Sequence, residues 1–164
     1  MATARLYFDD SWLTTFEADV VGISRFADWP SVVLDRTAFY PEAGGQMADR
    51  GTLSIDGREV GVVDVQVGDD GVVHHRLAGD PTIAAGSRAA GVIDRPRRLE
   101  HMALHTGQHM LSQALLLEAD APTVSARLGE STCTIDLDRP SLREGAVACA
   151  EALVNDLIDA RRSI

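Results

Sequence analysis

Cysteine is scarce in this chain. Cys133 and Cys149 are the two present among 164 residues, too few for the disulfide framework of a small secreted domain. Nowhere do about 18 apolar residues run together, so no membrane span is expected. The apolar triplet Leu6-Tyr7-Phe8 is cut short by Asp9-Asp10, unlike the core of a signal peptide. Positive charge is also in short supply: 15 Lys and Arg stand against 25 Asp and Glu, a formal net charge of −10. That balance argues against broad, sequence-blind binding to nucleic acid but not against a local contact. There is no internal repeat, no low-complexity tract and no phosphate-binding P-loop. What is left is a soluble, cytoplasmic globular protein, large enough for one domain or two small ones.

The first ninety or so residues read as β. Short β-rich runs cover Arg5 to Phe8, Phe16 to Ile23 and Ser31 to Leu34, the last after a break at Trp29-Pro30. Thr52 to Ile55 and Arg58 to Val60 flank Asp56-Gly57, the two-residue signature of a type I′ hairpin. Val60 to Val67, Val72 to Leu77 and Ser87 to Ile93 complete a set whose regular spacing predicts a small barrel. His74-His75 is placed at the surface or barrel rim.

At Asp94 the pattern changes. Asp94 can cap a helix and Pro96 suits its first turn. Leu99, Met102, Ala103, Thr106, Met110, Ala114 and Leu117 form a helical stripe, with Arg95, Arg97 and Arg98 read as solvated. Beside the stripe run His101, His105 and His109, each four residues from the next. On a helix such neighbours sit roughly 6 Å apart, close enough for two imidazoles to reach one metal ion. Thr106 occupies the place of the glutamate base in a metalloprotease, which disfavours that chemistry. Val124 to Leu128 and Cys133 to Leu137 read as a hairpin. A last helix is expected from Ser141, with Glu144 closing a capping box and Cys149 close to the buried face.

One connection is too long to be routine. Residues 37–51 join two predicted strands, and structureless loops of roughly fifteen residues are often functional. Phe39 and Tyr40 can anchor it, Gly44-Gly45 lets backbone N–H groups approach a ligand, and Thr37 and Gln46 supply polar groups. The tripeptide Gly45-Gln46 with Gly44 also occurs in peptide release factors, but there in a basic loop, whereas Glu42 and Asp49 flank it here.

Thr37 to Gly51 resembles the T-x-F-Y-P-E-x-G-G-Q-x-x-D-x-G signature of the alanyl-tRNA synthetase editing domain and of the free-standing AlaX editing proteins. His105-Thr106-Gly107-Gln108-His109 is similar to the H-T-x-x-H zinc motif of the same family. Order and separation agree, and the resemblance runs from the Leu6-Tyr7 segment onward. It implies an α+β protein in which a small β-barrel, residues 1–93, precedes a partial α/β editing domain, residues 94–164, with a histidine-bearing helix and antiparallel strands. It implies hydrolysis, in trans, of the ester in Ser-tRNA or Gly-tRNA for alanine, with zinc as the cofactor. Thr37, Gly44, Gly45 and Gln46 would line the pocket for the wrong aminoacyl group, and His105 and His109 would be metal ligands; the resemblance assigns no catalytic residue. The family pattern continues to a C-x-x-x-H motif that this sequence does not reach. Cys133 and His101 are the local candidates to complete the ligand set. A non-catalytic module that binds an aminoacyl group, a tRNA end or a partner is therefore the alternative. The region after Ile164 is a candidate interface, with a homodimer as one form of it.

Overall fold

The computed structural model describes residues 3–79 and 81–161, and the chain divides into two compact units, residues 1–99 and 100–164. The first unit is built on six antiparallel strands: β2 (Thr15–Phe26), β3 (Trp29–Leu34), β5 (Gly51–Ile55), β6 (Arg58–Val67), β7 (Val73–Leu77) and β8 (Arg88–Ile93). They close into a barrel in the order β2-β3-β7-β6-β5-β8. Two short segments, β1 (Ala4–Arg5) and β4 (Arg36–Thr37), pair in parallel beside it. Alternation along the strands fills the interior: Phe16, Ala18 and Val20 of β2 meet Val32 and Leu34 of β3, Leu53 of β5 and Val65 of β6.

Several predicted strands are longer or shifted. The segment expected as a strand from Arg5 becomes a turn of 3₁₀ helix at Leu6–Phe8, because the Leu6 carbonyl takes the N–H groups of both Asp9 and Asp10. The break expected at Trp29-Pro30 lies instead at Ala27-Asp28, where φ is +47° and +68°. That pair turns β2 directly into β3. Pro30 then fits inside the strand, since β3 pairs with β7 only from Ser31 onward and no ladder donor is lost. Close packing explains one glycine of the loop signature: a Cβ on Gly51 would lie 2.1 Å from the Val92 carbonyl oxygen of β8.

Helix α1 (Arg95–Ala119) begins as predicted, with the Asp94 carboxylate accepting the Arg97 N–H at 3.2 Å. The second unit contains most of this helix, the antiparallel hairpin of β9 (Thr123–Leu128) and β10 (Cys133–Leu137), and α2 (Ala146–Asp159). Its core gathers Leu111, Ala114 and Leu115 of α1, Leu137 of β10, and Ala150 and Leu153 of α2. The buried stripe of α1 is therefore rotated from the expected one, and Leu117 is 65% exposed. The capping box at Ser141 does not form. Gly145, at φ +78°, precedes a helix that starts at Ala146, and Arg143 reaches back to the Glu118 carbonyl. Cys149 lies on the exposed side. Among the described residues no helix is long and apolar enough to cross a membrane.

Candidate functional site

The long loop is held at both ends and exposed at its tip. Ala38 and Phe39 are buried in the barrel core, whereas Ala43, Gly44 and Gly45 are exposed. Ala43 and Gln46 exchange two backbone hydrogen bonds, of 3.1 and 3.0 Å, across Gly44 and Gly45. Both glycines have positive φ, +59° and +81°, the conformation of a tight primed turn. A Cβ on Gly44 would meet nothing within 4 Å, so backbone conformation, not space, calls for glycine there. Gln46 is buried beneath this turn.

Thr37 is fully buried at the start of the loop. Its hydroxyl lies 2.8 Å from His75 Nε2 and accepts the Phe39 N–H at 3.1 Å. His75 Nδ1 lies 3.2 Å from the Val32 carbonyl oxygen. A carbonyl can only accept, so the proton sits on Nδ1, Nε2 is an acceptor, and the Thr37 hydroxyl donates to it. Burial, opposed by the hydrogen bond to Val32 and helped slightly by His74, pushes the His75 pKa down from 6.5 to about 4. His75 is thus a neutral core residue, not a rim residue as its place in the sequence suggests.

A second anchor was not legible as such in the sequence. Asp49 and Arg98 form a buried ion pair, with Arg98 Nε 3.0 Å from Asp49 Oδ1 and a shorter contact through Nη2. The Asp49 carboxylate also accepts the Tyr40 N–H at 2.6 Å. Arg98 donates further to the carbonyls of Ser11 and Ala38, each at 2.7 Å. One guanidinium thus ties the N-terminal segment and both ends of the loop to the first turn of α1. At 3% exposure Arg98 is no solvated surface residue. The aspartate of the loop signature was the available signal, but its partner lies 49 residues away.

In the second unit, α1 places His105 and His109 on one face, their rings stacked at 4.9 Å. Burial, and then the neighbouring His109, hold the His105 pKa below the ordinary histidine value, which favours the neutral, metal-binding form. His101 is buried one turn earlier. Cys133 lines an apolar cavity of about 590 Å³ with Leu104, Leu111, Leu115, Ile135 and Leu137. Burial raises its thiol pKa, opposing the thiolate that a metal requires. Among the described residues no three His, Cys, Asp or Glu side chains converge on a common point, so neither His101 nor Cys133 completes a set with the pair. As a donor set, two imidazoles on adjacent turns fit half of a tetrahedral zinc shell.

Comparison with known proteins agrees with these features. Residues 14–97, just over half of the chain, match the family of class II (A) tRNA synthetases. The chain is 36% identical over 161 residues to the alanyl-tRNA editing protein AlaX-M of Methanosarcina barkeri, covering 95% of this chain and 65% of that protein. It is 37% identical over 162 residues to AlaX-M of Methanosarcina acetivorans, with the same shares covered. It is also 46% identical over 114 residues to the alanine–tRNA ligase of Pyrobaculum neutrophilum, 69% of this chain and 12% of the ligase. The chain thus spans about two thirds of the AlaX-M relatives and about an eighth of the ligases. The match over residues 14–97, which spans the six-stranded barrel and its signature loop, places this chain in the class II (A) tRNA synthetase family.

Proposed function

We propose that this chain carries out alanyl-tRNA editing, hydrolysing the ester of tRNA for alanine that has been mischarged with serine or glycine. The observation that carries this reading is the signature loop of residues 37–51, clamped at its base by Asp49–Arg98 and exposed at the Gly44-Gly45 turn. In the reaction, water adds to the acyl carbon, the bond to the ribose oxygen breaks, and free amino acid and uncharged tRNA leave. Gly44, Gly45 and Gln46 are the recognition groups for the wrong aminoacyl moiety, and Thr37 contributes by holding the loop in register from within the barrel. A polar pocket distinguishes serine from alanine because its donors and acceptors are left unmatched when the substrate hydroxyl is missing.

In this reading His105 and His109 would supply two ligands to zinc. When bound, the metal would orient or polarise the ester. This chain's own part is to set both imidazoles on one helical face and to favour the neutral form of His105.

The test is deacylation of Ser-, Gly- and Ala-tRNA for alanine by the purified chain, alone and with zinc added. Hydrolysis of the serine or glycine ester, sparing the alanine ester and lost in Gln46→Ala, is the expected result. Binding of the aminoacyl-tRNA without any hydrolysis would instead favour the non-catalytic module. That alternative is motivated by the two-ligand metal set.

A further inference from the structure

The outward face of β2, β3 and β7 is not an ordinary solvated sheet surface. Ser24 pairs with Ser31 and Phe26 with Trp29 across β2 and β3, and Ser31 pairs with Arg76 across β3 and β7. Directly opposed residues share a face, and His74, two residues from Arg76 in β7, lies on the same one. There the Arg76 guanidinium carbon lies 3.3 Å from the centre of the Trp29 ring. Phe26 stacks on His74 at 4.5 Å with the rings inclined by 23°. The Ser24 and Ser31 hydroxyls lie 3.4 and 3.3 Å from His74 Nδ1. Two aromatic stacks therefore stand side by side where solvated polar residues are the rule.

Apart from its stack on Trp29, the cation in this cluster has no charged or hydrogen-bonding side-chain partner among the described residues. Among the described residues the Arg76 side chain makes no hydrogen bond or ion pair, and its Nε is buried without an acceptor. Asp64 stands opposite Arg76 in the β6–β7 ladder but commits its carboxylate elsewhere, to the Val65 N–H at 2.9 Å and the Gln66 amide at 3.3 Å. The Gln66 amide is also bound by Glu42, at 3.0 Å. The guanidinium carbon sits over the Trp29 ring, and the indole itself stays 49% exposed. A nucleotide offers both complementary groups, a flat π-face for the indole and a phosphate for the guanidinium edge. With a net charge of −10, the chain has reason to confine such contact to a local patch.

We propose that this face docks an unpaired stretch of RNA, with a base stacked on Trp29 and a neighbouring phosphate held by Arg76. The inference rests on the editing reading only for the identity of the polynucleotide. The test uses the Trp12→Phe protein, which leaves Trp29 as the sole indole, titrated with short oligoadenylate RNA and with polyglutamate. Oligoadenylate should quench the Trp29 fluorescence while polyglutamate does not. Trp29→Ala, followed by an RNA-borne label, should weaken binding at least about fivefold, and Trp29→Phe should retain most of it. Arg76→Gln should lower the salt dependence of binding by about one phosphate contact. RNA binding that is unchanged in Trp29→Ala, or equal quenching by polyglutamate, overturns the proposal. Deacylation assayed in parallel separates the two readings: a protein that hydrolyses mischarged tRNA without quenching loses this patch alone, and one that is quenched without hydrolysing loses editing alone.

Discussion

The Thr37 hydroxyl donates to His75 Nε2 across 2.8 Å inside the barrel, and both residues are fully buried. The bond joins the first residue of the signature loop to a strand that meets it from 38 positions away. Thr37→Val keeps the shape but leaves His75 Nε2 and the Phe39 N–H without their partner. An unmatched buried polar group costs about 1–3 kcal/mol. Chemical denaturation of the ligand-free protein should show that loss. A stability equal to wild type would mean that Thr37 serves substrate alone.

His75 also makes stability depend on pH. Its folded pKa of about 4 lies below the ordinary 6.5, so the folded barrel refuses a proton that the unfolded chain accepts. Its contribution is complete above pH 6.5, declines as pH falls through the interval, and is lost below about pH 4. The whole interval is worth ~3 kcal/mol. Stability measured from pH 7 to 4 should fall less steeply in His75→Gln than in wild type. Parallel slopes would refute the assignment.

Arg98 and Asp49 give a sharper test of how the loop is held. Asp49→Asn keeps the size of the side chain but strands a buried guanidinium, and breaking such a pair typically costs roughly 3–5 kcal/mol. Removing both charges with Asp49→Asn/Arg98→Met should recover part of that loss. A double-mutant cycle reads the coupling directly, and additive losses would show that the two side chains act independently.

Local chemistry explains what could be read in advance. Asp56-Gly57 adopts φ of +49° and +78°, as the primed turn of a two-residue hairpin requires, and Cys133–Leu137 forms the strand its alternation suggests. The loop and the histidine pair were visible because each occupies a short, contiguous stretch. Arg98, His75 and the buried side of α1 were not, because their partners are distant in sequence. Arg98 sits beside Arg97 in a charge cluster, and only the folded chain brings Asp49 to it. His75 looks like any polar residue at a strand end until Thr37 and Val32 close around it. The stripe of α1 was misplaced because Leu104, Leu111 and Leu115 compete with Met102, Met110 and Leu117 at nearly the same helical period; the packing of β10 and α2 decides between them.

Gly51 should not tolerate a side chain. An alanine Cβ would lie 2.1 Å from the Val92 carbonyl oxygen and 3.0 Å from both Ile93 Cα and the Phe39 ring. The nearest of these atoms is backbone in β8, which cannot swing aside as a flexible side chain would. Relief would require β5 and β8 to separate where Gly51 pairs with Ile93. Gly51→Ala should therefore destabilise by about 1–3 kcal/mol or more, the usual range for overpacking. A melting temperature equal to wild type would show that the barrel opens freely at this seam.

The histidine pair can be tested without any turnover. His105 and His109 stack on one face of α1, and neither belongs to the buried core of its unit. Replacing both with alanine should therefore change the stability of the metal-free protein little, within about 1 kcal/mol. Zinc that binds the folded form alone raises the melting temperature in proportion to its affinity and concentration. Wild type should show that rise, and His105→Ala/His109→Ala should lose it. Because zinc competes with protons for imidazole, the rise should shrink as pH is lowered through the histidine range. An equal rise in wild type and the double variant would place the metal elsewhere. If wild type shows no rise, two imidazoles alone do not retain zinc, and the zinc-dependent reading fails for this chain.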